Sequence, residues 1–182
     1  MPTIQIGGKH IELSEIETNE YGPIVNSVGW EHVKIHQGKM FYASYLGTAL
    51  ADGGTAQVWF AVGSQTAHVL IEGKAGGKAW GYLIEGGTVS GGTAITAYNQ
   101  NRESAAVPES ALKHTPTVGG GGVTLLSEYI PGGGATPVSA SAGQARTNSE
   151  WLLAANTDYV VRIINASGGA QPVQISLQWY EG

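Results

Sequence analysis

From Val173 to Tyr180 the chain alternates strictly, with Val173, Ile175, Leu177 and Trp179 on one side and Gln174, Ser176, Gln178 and Tyr180 on the other. Successive side chains of an extended backbone point to opposite faces, so this period of two predicts a strand with one face buried. Just upstream, Tyr159 to Asn165 is dense in β-branched residues, and Ala166 to Pro172 is long enough for a loose hairpin that would pair the two strands antiparallel. Similar runs cover 39–50, 55–62, 67–72, 78–84 and 123–130, each bounded by glycine pairs or Asp52-Gly53-Gly54. Glu31-His-Val-Lys-Ile-His36 also alternates as a strand would. No amphipathic stretch of a dozen residues offers the crossover helix that a parallel sheet needs. The pattern predicts an all-β fold, an antiparallel jelly-roll-like β-sandwich with an extended N-terminal arm.

Three stretches depart from it. Residues 1–35 interleave short apolar pieces (Ile4, Ile6, Ile11, Leu13, Ile16) with five of the fourteen acids, followed by Tyr21 and Trp30. They read as an arm or small subdomain ahead of a sandwich over 36–182. Asn99 to Gly122, with Asn101, Arg102, two prolines and four successive glycines, reads as a long excursion from the sandwich and a candidate contact surface. Pro131 to Thr147 is rich in Gly, Ala and Ser and reads as flexible.

Composition narrows the function classes. A net charge of −5, with no basic stripe, argues against a nucleic-acid partner. No run approaches the roughly 18 apolar residues of a spanning helix, and Met-Pro-Thr-Ile-Gln lacks the basic and apolar regions of a signal peptide. Neither a membrane partner nor export is expected, and synthesis in the cytoplasm is. Without cysteine there is no disulfide framework or thiolate metal site.

Candidate chemistry is sparse. The chain has two aspartates, Asp52 and Asp158, both in turn-like contexts, which disfavours calcium loops and aspartic dyads. Glu12, Glu15, Glu17 and Glu20 form a dense carboxylate group that reads as a solvated face. His32 and His36, four apart, would be roughly 13 Å apart on a strand, too far to share one ion. Ser90-Gly-Gly lacks the Gly-x-Ser-x-Gly pattern of a nucleophile elbow. Gly73-Lys-Ala-Gly-Gly-Lys78 has too few spacers for a phosphate loop and reads as a hairpin turn with two exposed lysines. Asn165-Ala-Ser167 matches a glycosylation sequon that carries no meaning without secretion. Trp59, Trp80, Trp151 and Trp179, with Phe41 and Phe60, read as core packing. The sharper alternative is a sugar platform, which requires several rings clustered on an outer face beside amide or acid groups. No cofactor, metal or catalytic residue is expected, and the chain does not read as an enzyme.

Several motifs in order resemble structural proteins of tailed bacteriophages. They are Tyr82-Leu-Ile-Glu-Gly-Gly-Thr, Gly92-Thr-Ala-Ile-Thr-Ala-Tyr-Asn-Gln-Asn-Arg102, His114-Thr-Pro-Thr-Val118, Ile130-Pro-Gly-Gly, Ser149-Glu-Trp-Leu-Leu-Ala-Ala-Asn-Thr-Asp-Tyr159 and Leu177-Gln-Trp-Tyr-Glu181. The likeness spans about residues 36–181 and implies a virion component, a capsid decoration or cement protein on the phage head. Its partners would be the major capsid protein and further copies of itself, as a dimer or trimer. Contacts are expected from Ile4, Ile6, Ile11, Leu13, Ile16, Tyr21 and Trp30 in the arm and from Asn99, Asn101 and Arg102. The alternative is a tail, fibre or baseplate module that binds host surface glycans.

Overall fold

The computed structural model describes residues 3–6, 9–12, 18–19, 22–23, 30–131, 143–146 and 150–182. The chain divides into two compact units, Met1–Val33 and Lys34–Gly182. In the first, β1 (Thr3–Ile6) pairs antiparallel with β2 (Lys9–Glu12), and β3 (Thr18–Asn19) with β4 (Gly22–Pro23).

Trp30–His36 forms a helix, α1, and not the strand that its alternation implied. The ends explain the difference. Glu31 in the first turn and Lys34 and His36 in the last complement the helix dipole. Gly38, at φ +67°, donates to the Ile35 carbonyl while Lys39 donates to that of Lys34, the paired bonds of a glycine-closed helix terminus. On one helical turn His32 and His36 share a face, but among the described residues no three His, Cys, Asp or Glu side chains gather as a metal site.

The second unit is an antiparallel β-sandwich. Its main strands are β5 (Met40–Leu50), β6 (Thr55–Ala61), β7 (Ala67–Ala75) and β8 (Ala79–Glu85), then β14 (Val123–Ile130), β15 (Gly143–Arg146), β16 (Trp151–Leu153), β17 (Asp158–Asn165) and β18 (Gln171–Glu181). Between β8 and β14 come the short β9 (Val89–Ser90), β10 (Thr93–Ala94), β11 (Tyr98–Asn99), β12 (Ala111–His114) and β13 (Thr117–Val118). One sheet runs β11-β5-β18-β7, with β15 and β16 both on the far side of β7; the other runs β10-β12-β6-β17-β8-β14. β8 and β14 pair within one sheet, whereas every other step between successive main strands, taking β15 and β16 as one interrupted strand, crosses to the opposite sheet.

That crossing corrects three expectations. β17 and β18 do not form a hairpin: β17 lies between β6 and β8, and β18 between β5 and β7. The Gly76-Gly77 turn likewise carries the chain from sheet to sheet, with Lys78 exposed and Lys74 paired to Glu72 at 2.8 Å. Residues 99–122 are no excursion, since β11 extends one sheet and β12 the other, while β13 pairs with β9. Of the stretch 131–147, 132–142 and 147 lie outside the described residues, and β15 pairs with β7.

The crossings are tied at one end by Asn165, 1% exposed. Its amide donates to the Leu50 and Gly169 carbonyls at 2.8 and 2.7 Å and accepts from Ser167 N and Gln171 Nε2. Gln171 reaches on to the Lys78 carbonyl. Three chain crossings are thereby joined by two side chains, which also shows the sequon asparagine to be buried. Between the sheets, Val173, Ile175, Leu177 and Trp179 form the predicted stripe, with Trp179 5.8 Å from Phe41 and edge-on to Phe60 at 5.3 Å.

Candidate functional site

Two surfaces of the sandwich carry side chains beyond what the core requires. The first is the corner where the end of α1 meets β5 and β11. Asn99, expected at a contact surface, is only 7% exposed. It faces inward opposite Phe41, and its amide donates to the Gly38 carbonyl at 2.7 Å and that of Ala106 at 3.1 Å. Its Oδ1 accepts from Asn101 N, so it shapes the loop and is not itself displayed. Asn101 donates from Nδ2 to the His36 carbonyl at 3.3 Å, tying the loop to the helix end.

What this scaffold displays is Tyr98, 55% exposed, with the Arg102 guanidinium 5.6 Å from its ring centre. Tyr98 pairs across the sheet with Tyr42, also exposed, and Leu46, 61% exposed, lies further along the same face of β5. Gln100, Gln174, Ser176 and Gln178 border them, linked by Tyr42 Oη–Ser176 Oγ, Gln174 Nε2–Ser176 Oγ and Gln178 Nε2–Gln100 Oε1 hydrogen bonds. An apolar and aromatic centre inside an amide and hydroxyl rim is the make-up of a protein contact surface.

The second surface is the outer face of the other sheet. Ala56, Val58 and Phe60 of β6 point into the core, so Gln57 and Trp59 point away; the same alternation turns Val160, Arg162 and Ile164 outward on β17 and Trp80, Tyr82 and Ile84 on β8. Register aligns them in rows: Lys113, Trp59, Val160, Ile84; then Gln57, Arg162, Tyr82, Ser127; then Ile164, Trp80, Tyr129. Trp80 and Tyr129 are 40% and 49% exposed, with ring centres 5.2 Å apart and planes tilted 59°. Trp59 and Trp80 were expected in the core, but their strand parity places them outside it.

Arg162 is half-buried here and has no ion pair among the described residues. Its Nε, the Trp59 indole N–H and Gln57 Oε1 are buried without hydrogen-bond partners among the described residues. Sequence reasoning held Trp59 and Trp80 only as the alternative of a sugar platform and missed Arg162 and Gln57 beside them. A lone arginine in the apolar run of β17 was a further signal, and the clustering becomes visible only through pairing.

Elsewhere polar groups serve the fold. Glu181 accepts from Glu109 N and Ser110 N, and Glu109 accepts from Ser64 and Gln65. The Ser64 and Gln65 side-chain bonds hold the Glu109 carboxyl below its usual range. Because that shift favours the folded state's charged form, its contribution is present above the ordinary carboxylate pKa and fades as pH falls through the lowered one. Burial, and then Glu85, hold the Tyr159 hydroxyl above the ordinary tyrosine value, although the Ala154 N–H bond pulls the other way. Two hollows, of about 30 Å³ beside Gly73, Gly81 and Glu128 and about 60 Å³ beside Tyr42, Glu72 and Ser176, have room for a few waters at most.

In the first unit, register sets Ile4 opposite Ile11 and Ile6 opposite Lys9. Trp30 opens α1, while Leu13, Ile16 and Tyr21 lie outside the described residues.

Fold and surfaces together define an antiparallel β-sandwich protein with its distinctive side chains on outer faces. Comparison with protein-family models, curated proteins and solved structures finds no match.

Proposed function

We propose that this chain is a structural protein of a tailed-phage virion that attaches to the outside of the head and reinforces contacts between coat subunits. The observation that carries the reading is the corner patch: Tyr98, Arg102, Tyr42 and Leu46, rimmed by amides and hydroxyls and held by the buried Asn99. Tyrosine and arginine are the side chains that dominate binding energy in protein interfaces, because each combines a large apolar area with directed hydrogen bonds. The motif resemblance supports the virion setting. Strand order supports the jelly-roll form of the sandwich: β5-β18-β7-β16 against β6-β17-β8-β14 is the order made when two Greek keys fold over each other.

The test is cosedimentation with coat-protein shells. A Tyr98→Ala, Arg102→Ala double variant is expected to bind at least about tenfold more weakly than the parent, with an unchanged far-UV spectrum. Undiminished binding would remove the corner from the contact, and antibody labelling of tails instead of heads would overturn the assignment to the head. One observation favours the second reading, a module that binds host glycans: Trp80 and Tyr129 stand half-exposed on the outer face that also carries the Gln57 amide and Arg162.

A further inference from the structure

We propose that the outer face of the β6-β17-β8-β14 sheet binds carboxylate-bearing sugars, uronic acids and their kin, with Trp80 and Tyr129 as the stacking surface and Arg162 as the carboxylate receptor. The proposal rests on the glycan-binding reading and specifies its ligand.

Three observations carry it. The first is the ring pair. A pyranose has one face made of C–H groups, which packs on an aromatic ring, while its hydroxyls and ring substituents project sideways; two rings tilted at 59° and each nearly half exposed offer such a face a shallow seat.

The second is the position of Arg162. It pairs with Tyr82, and Trp80 lies two residues along from Tyr82 on the same face, so Arg162 and Trp80 are diagonal neighbours about 7–8 Å apart at the backbone. A sugar seated on Trp80 and Tyr129 therefore presents a substituent of its ring edge within the reach of the guanidinium. An arginine fork recognises a carboxylate through two parallel N–H···O bonds.

The third is that this cation is uncompensated. Among the described residues Arg162 has no carboxylate partner, and the three central rows also carry Lys113, whose ammonium lies 4.9 Å from the Trp59 ring centre, and no acid. A locally positive aromatic face on a chain of net charge −5 selects for a ligand with a few well-placed negative charges and against long polyanions. The Trp59 indole N–H and Gln57 Oε1, buried near Arg162 and unpartnered among the described residues, leave a donor and an acceptor on the same face.

The full-length protein would be titrated calorimetrically with tetragalacturonate and with its carboxyl-reduced form, in which each carboxylate has become a hydroxymethyl group. The acid form is expected to bind at least about tenfold more tightly, an advantage that Arg162→Gln abolishes, Arg162→Lys keeps in part, and Trp80→Ala lowers together with all binding. Far-UV spectra and melting curves of the variants check that each still folds. Equal binding of the two forms would overturn the carboxylate receptor and leave glycan binding standing. No binding of either up to about 10 mM would overturn both. Preferential binding of the acid that survives Arg162→Gln and Trp80→Ala would put the site elsewhere and equally sink the proposal.

Discussion

At the scale of single residues, one buried amide ties together segments far apart in the chain. Asn165 joins β5, the β17–β18 crossing and Gln171 through four hydrogen bonds, with almost no exposure to water that could replace them. A buried group that loses its partner bears the full desolvation penalty, whereas a satisfied one contributes modestly. Asn165→Ala would remove the side-chain partner of the Leu50 carbonyl and of Ser167 N, and leave the Gly169 carbonyl to Ser167 Oγ and the Gln171 amide to the Lys78 carbonyl alone. It is expected to lower unfolding free energy by about 2–4 kcal/mol, read from the midpoint of urea denaturation. Asp at the same position keeps the two acceptor bonds but sets a buried oxygen against the Leu50 and Gly169 carbonyls in place of the donor, and should cost at least as much as Ala. Neither role was legible in the sequence, where Asn165 stood out only as the first residue of a chance sequon. Hydrogen-bond partners remote in the chain leave no periodic trace.

At the scale of elements, the stripes were legible and the pairings were not. Val173, Ile175, Leu177 and Trp179 declared their face because burial of one side of a strand imposes a period of two. Which strand stands beside β18 depends on how the preceding connections cross the sandwich, and a crossing of five residues looks locally like a hairpin loop. The short helix was misread because Val33 and Ile35 happen to alternate with polar residues over a segment of two turns. Its end was the better signal, and it yields a test. At Gly38 any side chain meets both a left-handed backbone and the Ser104 side chain, whereas Gly53, at φ +70°, has open space around it. Gly53→Ala should therefore cost only the backbone term, about 1–2 kcal/mol. Gly38→Ala should cost clearly more and also weaken amide exchange protection at Lys39, whose bond closes α1. Equal losses at the two positions would mean that the contact with Ser104 is immaterial. The candidate corner was half legible for the same reason: Arg102 and its asparagines drew attention by composition, while Tyr98 and Tyr42 met only through strand pairing.

At the scale of the whole molecule, the edges that the described strands leave at each sheet bear on how copies can meet. β14 closes one side of its sheet with an eight-residue strand bearing exposed Val123, Leu125 and Tyr129, the kind of edge on which further strands add. Two features oppose that. The register slips between Thr124 and Leu126, and Glu128 turns inward opposite Gly81, into the hollow between the sheets. An inward charge on an edge strand makes a continuous dry sheet unfavourable, so association is steered toward the faces and the corner. Glu128→Leu is expected to leave the melting temperature equal or higher while producing concentration-dependent growth in light scattering. A variant that remains monodisperse would deny Glu128 that role.

Met40 stands opposite Tyr180, so the antiparallel ladder between β5 and β18 has the two ends of the sandwich on a single rung. Tension applied between those ends concentrates on that rung and opens the ladder like a zip, one pair after another. Tension spread across the sheets is shared by many rungs at once. A body wired in this way yields to a tug on its tails and holds firm against stretching of its flanks.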